Sequence, residues 1–159
     1  MTDKQATSNQ ASCNKAINNH ASCLCGAIQF EVRRLMPLIA HCHCKMCQKF
    51  HGAAFSTFAE VKCQDVLWKS GQDLLTHYTA DNKSVRSFCK KCGSSLFFES
   101  RFNREQQTIE VALAAFDSLE NVHPDAHIFW QSKVDWFTPN DDLVHYLAYR
   151  DSHVCKHDK

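Results

Sequence analysis

The chain has 159 residues, 44% of them apolar, with 18 Lys plus Arg against 17 Asp plus Glu, the make-up of one ordinary globular domain. The net charge of +1 argues against a phosphate-tracking surface, because a basic excess supplies most non-specific affinity for nucleic acid. Uncharged apolar runs reach only about six residues against the roughly 20 of a spanning helix, and the first residues lack the apolar stretch of a signal peptide. A cytoplasmic protein is expected, with neither a membrane nor a nucleic-acid partner.

In chain order, residues 1–21 are polar and rich in Ser, Asn and Gln, and are expected to be a disordered tail holding Cys13 and His20. Residues 22–149 form the expected domain, and residues 150–159, with Cys155, a second polar tail. Inside the body the dominant period is two. Ile28, Phe30 and Val32 alternate with Gln29, Glu31 and Arg33, and Ile109, Val111 and Leu113 alternate with Thr108, Glu110 and Ala112. Residues 53–61, 66–68, 75–78, 85–88 and 96–99 are further short strand candidates. A helix is expected over residues 45–50. A second is expected over 141–149, where Leu143, Tyr146 and Leu147 stand at helical spacing. Short strands at close spacing predict a mostly β fold of antiparallel sheets with few short helices.

Cysteine is the unusual component. Ten in this length fall below the density of secreted disulfide scaffolds, and in a reducing compartment clustered cysteines more often bind metal. Three clusters use seven of them: Cys23-Leu-Cys25-Gly26, Cys42-His-Cys44-Lys-Met-Cys47 and Cys89-Lys-Lys-Cys92-Gly93. Two thiolates separated by two residues can converge on one zinc across a tight turn, with sulfur about 2.3 Å from the metal. Gly93 suits such a turn, where positive φ is often required. Cys89 and Cys92 are therefore half of a four-cysteine site, and Cys23 and Cys25 could supply the other half. Cys42, Cys44 and Cys47 are left as a set of three. Closed structural zinc sites hold four protein ligands, whereas catalytic sites hold three and leave one position open. The count suggests two zincs, one structural and one open, although His41, His43 or His51 could close the second.

Blander readings apply elsewhere. His41 and His43 alternate with the cysteines, so they are expected to point away from the metal side. Cys63 reads as a small buried hydrophobe. Phe97-Phe98 and Phe129-Trp130 read as core, and Lys90-Lys91 as a solvated turn tip.

Three motifs carry a resemblance. Ser22-Cys23-Leu-Cys25-Gly26-Ala27-Ile28-Gln-Phe30, His41-Cys42-His43-Cys44-Lys-Met-Cys47-Gln-Lys-Phe50-His51-Gly52-Ala53 and Phe88-Cys89-Lys-Lys-Cys92-Gly93-Ser94-Ser95-Leu96-Phe97 resemble the glutathione-dependent formaldehyde-activating enzyme (GFA) family, which includes centromere protein V. Pro124-Asp-Ala-His127-Ile128 and Trp136 are similar to its C-terminal stretch. The resemblance spans residues 22–137. It implies a zinc-organised β fold of the β-tent type. It further implies a structural zinc on Cys23, Cys25, Cys89 and Cys92 and a catalytic zinc on Cys42, Cys44 and Cys47. The implied activity joins glutathione to formaldehyde as S-(hydroxymethyl)glutathione, a carbon–sulfur lyase reaction in reverse.

The partners implied are a small-molecule thiol and an aldehyde. An open zinc can take a substrate thiol and keep it deprotonated, and the thiolate attacks the aldehyde carbon. The developing alkoxide needs a proton donor, for which His43 and His51 are nearby and titrate in the right range. Two other classes compete: a non-catalytic zinc-organised binding module and a thiol or metal redox protein. A β-rich chain with exposed strand edges can also pair as a homodimer.

Overall fold

The computed structural model describes residues 19–154, so Cys13, Cys155 and most of the two expected tails lie outside the described residues. The strands are β1 (Asn19–Ser22), β2 (Gln29–Val32), β3 (Ile39–Cys42), β4 (Ser56–Lys62), β5 (Val66–Ser70), β6 (Leu75–Thr79), β7 (Val85–Cys89), β8 (Ser95–Glu99), β9 (Thr108–Ala112), β10 (Ala126–Ile128) and β11 (Val144–His145). The two α-helices are α1 (Lys45–His51), between β3 and β4, and α2 (Arg101–Gln106), between β8 and β9. The fold is mostly β, as the alternation predicts. The strands form a three-stranded sheet, β1-β2-β5, and an eight-stranded sheet, β11-β10-β3-β4-β9-β8-β7-β6.

All pairings are antiparallel except those of β10, which runs parallel to both β3 and β11. The long excursion between residues 42 and 126 makes a parallel return to β3 feasible, since parallel neighbours need a long connection.

Alternation buries one face of β2, whereas β4, β8 and β9 also bury adjacent residues on opposite faces. On β2, Phe30 and Val32 are fully buried while Gln29 and Glu31 are partly exposed. The small sheet packs on the large one through Phe30, Trp68 and Phe97, whose ring centroids are 4.9–5.7 Å apart. Ile28, Val61, Leu96 and Val111 complete this core. Burying each large side chain contributes roughly 1.5–3 kcal/mol.

Three expectations are revised and one helix, α2, is new. Asn19, His20 and Ala21, read with the tail, pair with β2 as part of β1, and Ala21 is fully buried. Residues 141–149 are not a helix. The Tyr146 N–H donates to the His127 carbonyl at 2.8 Å, and the Ala148 carbonyl accepts from Phe129 at 2.8 Å. These backbone groups thus serve the neighbouring strand instead of an i−4 ladder. Helix α2 lacks the Glu or Gln of the usual capping signature. Its box is closed by the Ser100 hydroxyl on the Asn103 N–H and the Asn103 side chain on the Ser100 N–H. Cys63 is exposed, because it opens a short 3₁₀ turn that carries its side chain outward. Lys90 and Lys91 are solvated at a turn tip, and Phe97 is core, as expected.

Candidate functional site

The first cysteine centre joins two turns. Cys23 and Cys25 lie in the loop from β1 to β2, and Cys89 and Cys92 in the turn from β7 to β8. The four sulfurs lie within 4.8 Å of one another. The Cys23–Cys25 and Cys25–Cys89 separations are 3.5 and 3.9 Å. Sulfurs bound tetrahedrally at 2.3 Å stand roughly 3.8 Å apart, so the donor set fits one zinc ion. Gly93 has φ 74° and donates its N–H to the Cys89 carbonyl at 2.8 Å, closing the second turn. Ser94 links the turns: its hydroxyl accepts the Leu24 N–H at 2.9 Å and lies 3.3 Å from the Cys92 sulfur, pulling that thiol down to about 6. Gly71 braces the first loop from below. A Cβ there would lie 2.1 Å from the Ala27 carbonyl oxygen.

The second centre is built within one strand-to-helix turn. Cys42 ends β3, Cys44 caps α1, and Cys47 stands in the first turn of that helix. An i, i+2 step along extended chain and an i, i+3 step around a helix bring all three side chains to one side. Their sulfurs lie within 4.8 Å of one another. The Cys44 sulfur accepts the Cys47 N–H at 3.3 Å. Buried Gln48 fixes the turn, donating to the His43 and Ser132 carbonyls at 2.6 and 2.9 Å. The Cys42 and Cys47 thiols pull Cys44 well down, while proton sharing with Cys44 and Cys47 pushes Cys42 up. Three soft sulfurs, one already favouring the thiolate, suit a thiophilic cation.

The two centres differ in what they face. Cys42, Cys44 and Cys47 line a cavity of about 520 Å³, and none of the four cysteines of the first centre does. The floor of that cavity is a cross-strand row. Arg86 on β7 is opposite Phe98 on β8, Phe98 opposite Glu110 on β9, and Glu110 opposite Glu60 on β4. Arg86 is buried. Its guanidinium lies 5.0 Å from the centre of the Phe98 ring and donates to the Ser84 hydroxyl at 2.8 Å. Burial, with Glu60 beside it, pushes the Glu110 carboxyl up to about 7. The register assembles this row, and the only sequence signal was a charged residue inside each of three apolar strands.

The histidines lie elsewhere. His43 is fully buried, and its Nε2 is 2.8 Å from His127 Nδ1. His41 bonds to Thr57 at 2.8 Å, and His51 packs edge-on against Phe58. None of the three stands among the grouped sulfurs or in the cavity wall. Burial holds His43 and His51 down at about 4, so neither is a proton donor near neutrality.

These features define a β protein with a closed four-thiol staple and an open three-thiol centre in a cleft. The model of the glutathione-dependent formaldehyde-activating enzyme family matches residues 18–132. The chain belongs to that family. A Schizosaccharomyces pombe protein named an uncharacterized lyase is 28% identical over 116 residues, 73% of this chain and 81% of its own. A crystal structure of a Rhodobacter sphaeroides protein has a similar fold. Its TM-score is 0.52 and its identity 27%, and the match covers 66% of this chain and 91% of that one. Among the described residues no helix is long and apolar enough to cross a membrane.

Proposed function

We propose that this protein is a zinc-dependent carbon–sulfur lyase acting on the adduct of a small thiol and an aldehyde, of the S-(hydroxymethyl)glutathione kind, in a cytoplasmic setting. In this reading Cys42, Cys44 and Cys47 hold the reactive zinc, and Cys23, Cys25, Cys89 and Cys92 hold a structural one. One observation carries it: the three-cysteine set lines the cavity and the four-cysteine set does not. Family membership and the lyase name of the Schizosaccharomyces pombe relative support it.

Zinc held by Cys42, Cys44 and Cys47 would keep a substrate thiol deprotonated at neutral pH. The chain's own residues do the remainder. Arg86 sets a fixed positive charge behind the centre, which favours thiolate at Cys44 and faces an anionic substrate. Phe98, Phe102 and Met46 give the cavity apolar walls that exclude water from the adduct. Glu110, protonated up to about pH 7, replaces the histidines as proton source. In synthesis the thiolate sulfur attacks the aldehyde carbon, and the carbonyl oxygen takes a proton as the carbon–sulfur bond forms. In the lyase direction the hydroxyl loses that proton, the bond breaks, and thiolate and aldehyde leave.

The test is turnover of glutathione with formaldehyde, and of other thiol–aldehyde pairs, by the zinc-loaded chain and by Cys44→Ser. Zinc-dependent turnover lost in Cys44→Ser supports the reading. Turnover retained by that variant, or absent with every pair, overturns it.

A further inference from the structure

We propose that His127, Asp141 and His145 form a separate binding site for a divalent first-row metal ion of the zinc type, on the side of the large sheet turned away from the cysteine-lined cavity. The site arises from strand register. His41 on β3, His127 on β10 and His145 on β11 are directly paired across two parallel ladders. Alternation along β3 sends Cys42 to the cavity and His41 away from it. The same alternation on β10 sends Ile128 to the cavity and His127 away.

One ligand atom each from His127, Asp141 and His145 lies within 4.8 Å of the others. His127 Nε2 is 3.2 Å from both oxygens of Asp141. Ligands held tetrahedrally at zinc–nitrogen and zinc–oxygen distances of about 2.0–2.1 Å stand roughly 3.3 Å apart, so the spacing suits a shared cation. Two imidazoles and a carboxylate are a donor set for zinc and its neighbours.

The surroundings hold each ligand in place. His127 Nδ1 is engaged by His43 Nε2 at 2.8 Å, leaving Nε2 to face Asp141. Second partners of this kind commonly orient metal-binding histidines. The Trp130 ring stacks on His145 with centroids 3.8 Å apart and planes within 11°. The Leu143 N–H donates to Asp141 Oδ1 at 3.1 Å. His127 is fully buried, whereas the Asp141 side chain is 35% exposed, which gives an ion an entrance and water the remaining position. A bound ion would clamp the loop at Asp141 and the last strand, β11, onto β10.

The experiment is a zinc titration of the untagged full-length chain against a chromophoric chelator, with Asp141→Asn and His145→Asn in parallel. Asparagine at 141 keeps the acceptor for the Leu143 N–H. The result expected is a third zinc equivalent in the unmodified chain, weakened tenfold or more in both variants. The first two equivalents stay in place and the melt stays cooperative. Cobalt substitution separates this site from the cysteine centres: loss of the third equivalent leaves the thiolate-to-cobalt absorption intact. A third equivalent that binds equally well in both variants, or none at all in the unmodified chain, overturns the proposal. Either result stands apart from the fate of the three-cysteine centre.

Discussion

Cys25 and Cys89 are 64 residues apart in sequence, whereas Cys42, Cys44 and Cys47 occupy a single strand-to-helix turn. The first centre ties the small sheet to the far side of the large one, across the core of Phe30, Trp68 and Phe97. The second closes no such loop. Its backbone is already fixed by β3, by Gln48 and by the α1 cap. Loop-closure entropy therefore makes the first centre a contributor to folding. The second, local and lining a cavity, is free to be spent on chemistry. On the proposed function, the difference separates stability from activity by location, with the same donor atom in both.

The largest effect expected is from Cys92→Ser. It breaks the long-range staple and removes one zinc whose binding is coupled to folding. The loss should exceed about 5 kcal/mol, comparable to the whole stability of an ordinary domain. Circular dichroism should show an unfolded or molten chain; a native melting curve would contradict the staple. Gly71→Ala attacks the same centre more gently. A methyl 2.1 Å from the Ala27 carbonyl, at φ +68°, forces the loop of Cys23 and Cys25 aside. The expected cost is about 1–3 kcal/mol. Chelator competition should show weaker zinc binding at this centre and unchanged binding at the other.

On the cavity side the probe is Glu110. Its folded value of about 7 lies above the ordinary 4.5, so the folded state holds its proton more tightly than the unfolded chain does. That stabilisation is full below about pH 4.5 and is lost as pH rises through about 7. The wild type should lose roughly 1 kcal/mol relative to Glu110→Gln between about pH 6 and about pH 8, read from denaturant midpoints. Parallel pH curves for the two proteins would refute the buried protonated carboxyl. The smallest effect should come from Cys63→Ser, exposed and outside both centres. Stability should move by less than about 0.5 kcal/mol, with zinc content unchanged.

Much of the fold was legible, because alternation in a segment such as residues 28–32 reflects burial on one face alone. Helix α1 was legible from residues 45–50, and the grouping of the cysteines from their spacing. Helix α2 was not, since Asn103 takes the capping position usually held by a longer side chain. Residues 141–149 misled because apolar spacing cannot reveal that their backbone bonds to β10. The row of Arg86, Phe98, Glu110 and Glu60 draws one residue from each of four strands. Only the register between strands brings it together, and no local window contains it. The same holds for His127, Asp141 and His145.

The most direct measurement is zinc per chain, melting temperature and thiol–aldehyde turnover determined together on Cys44→Ser and the unmodified protein. The account predicts that the variant loses about one zinc, keeps its cooperative melt and loses turnover. An unfolded variant, or one that still turns over after losing that zinc, would contradict the division between a closed structural centre and an open reactive one.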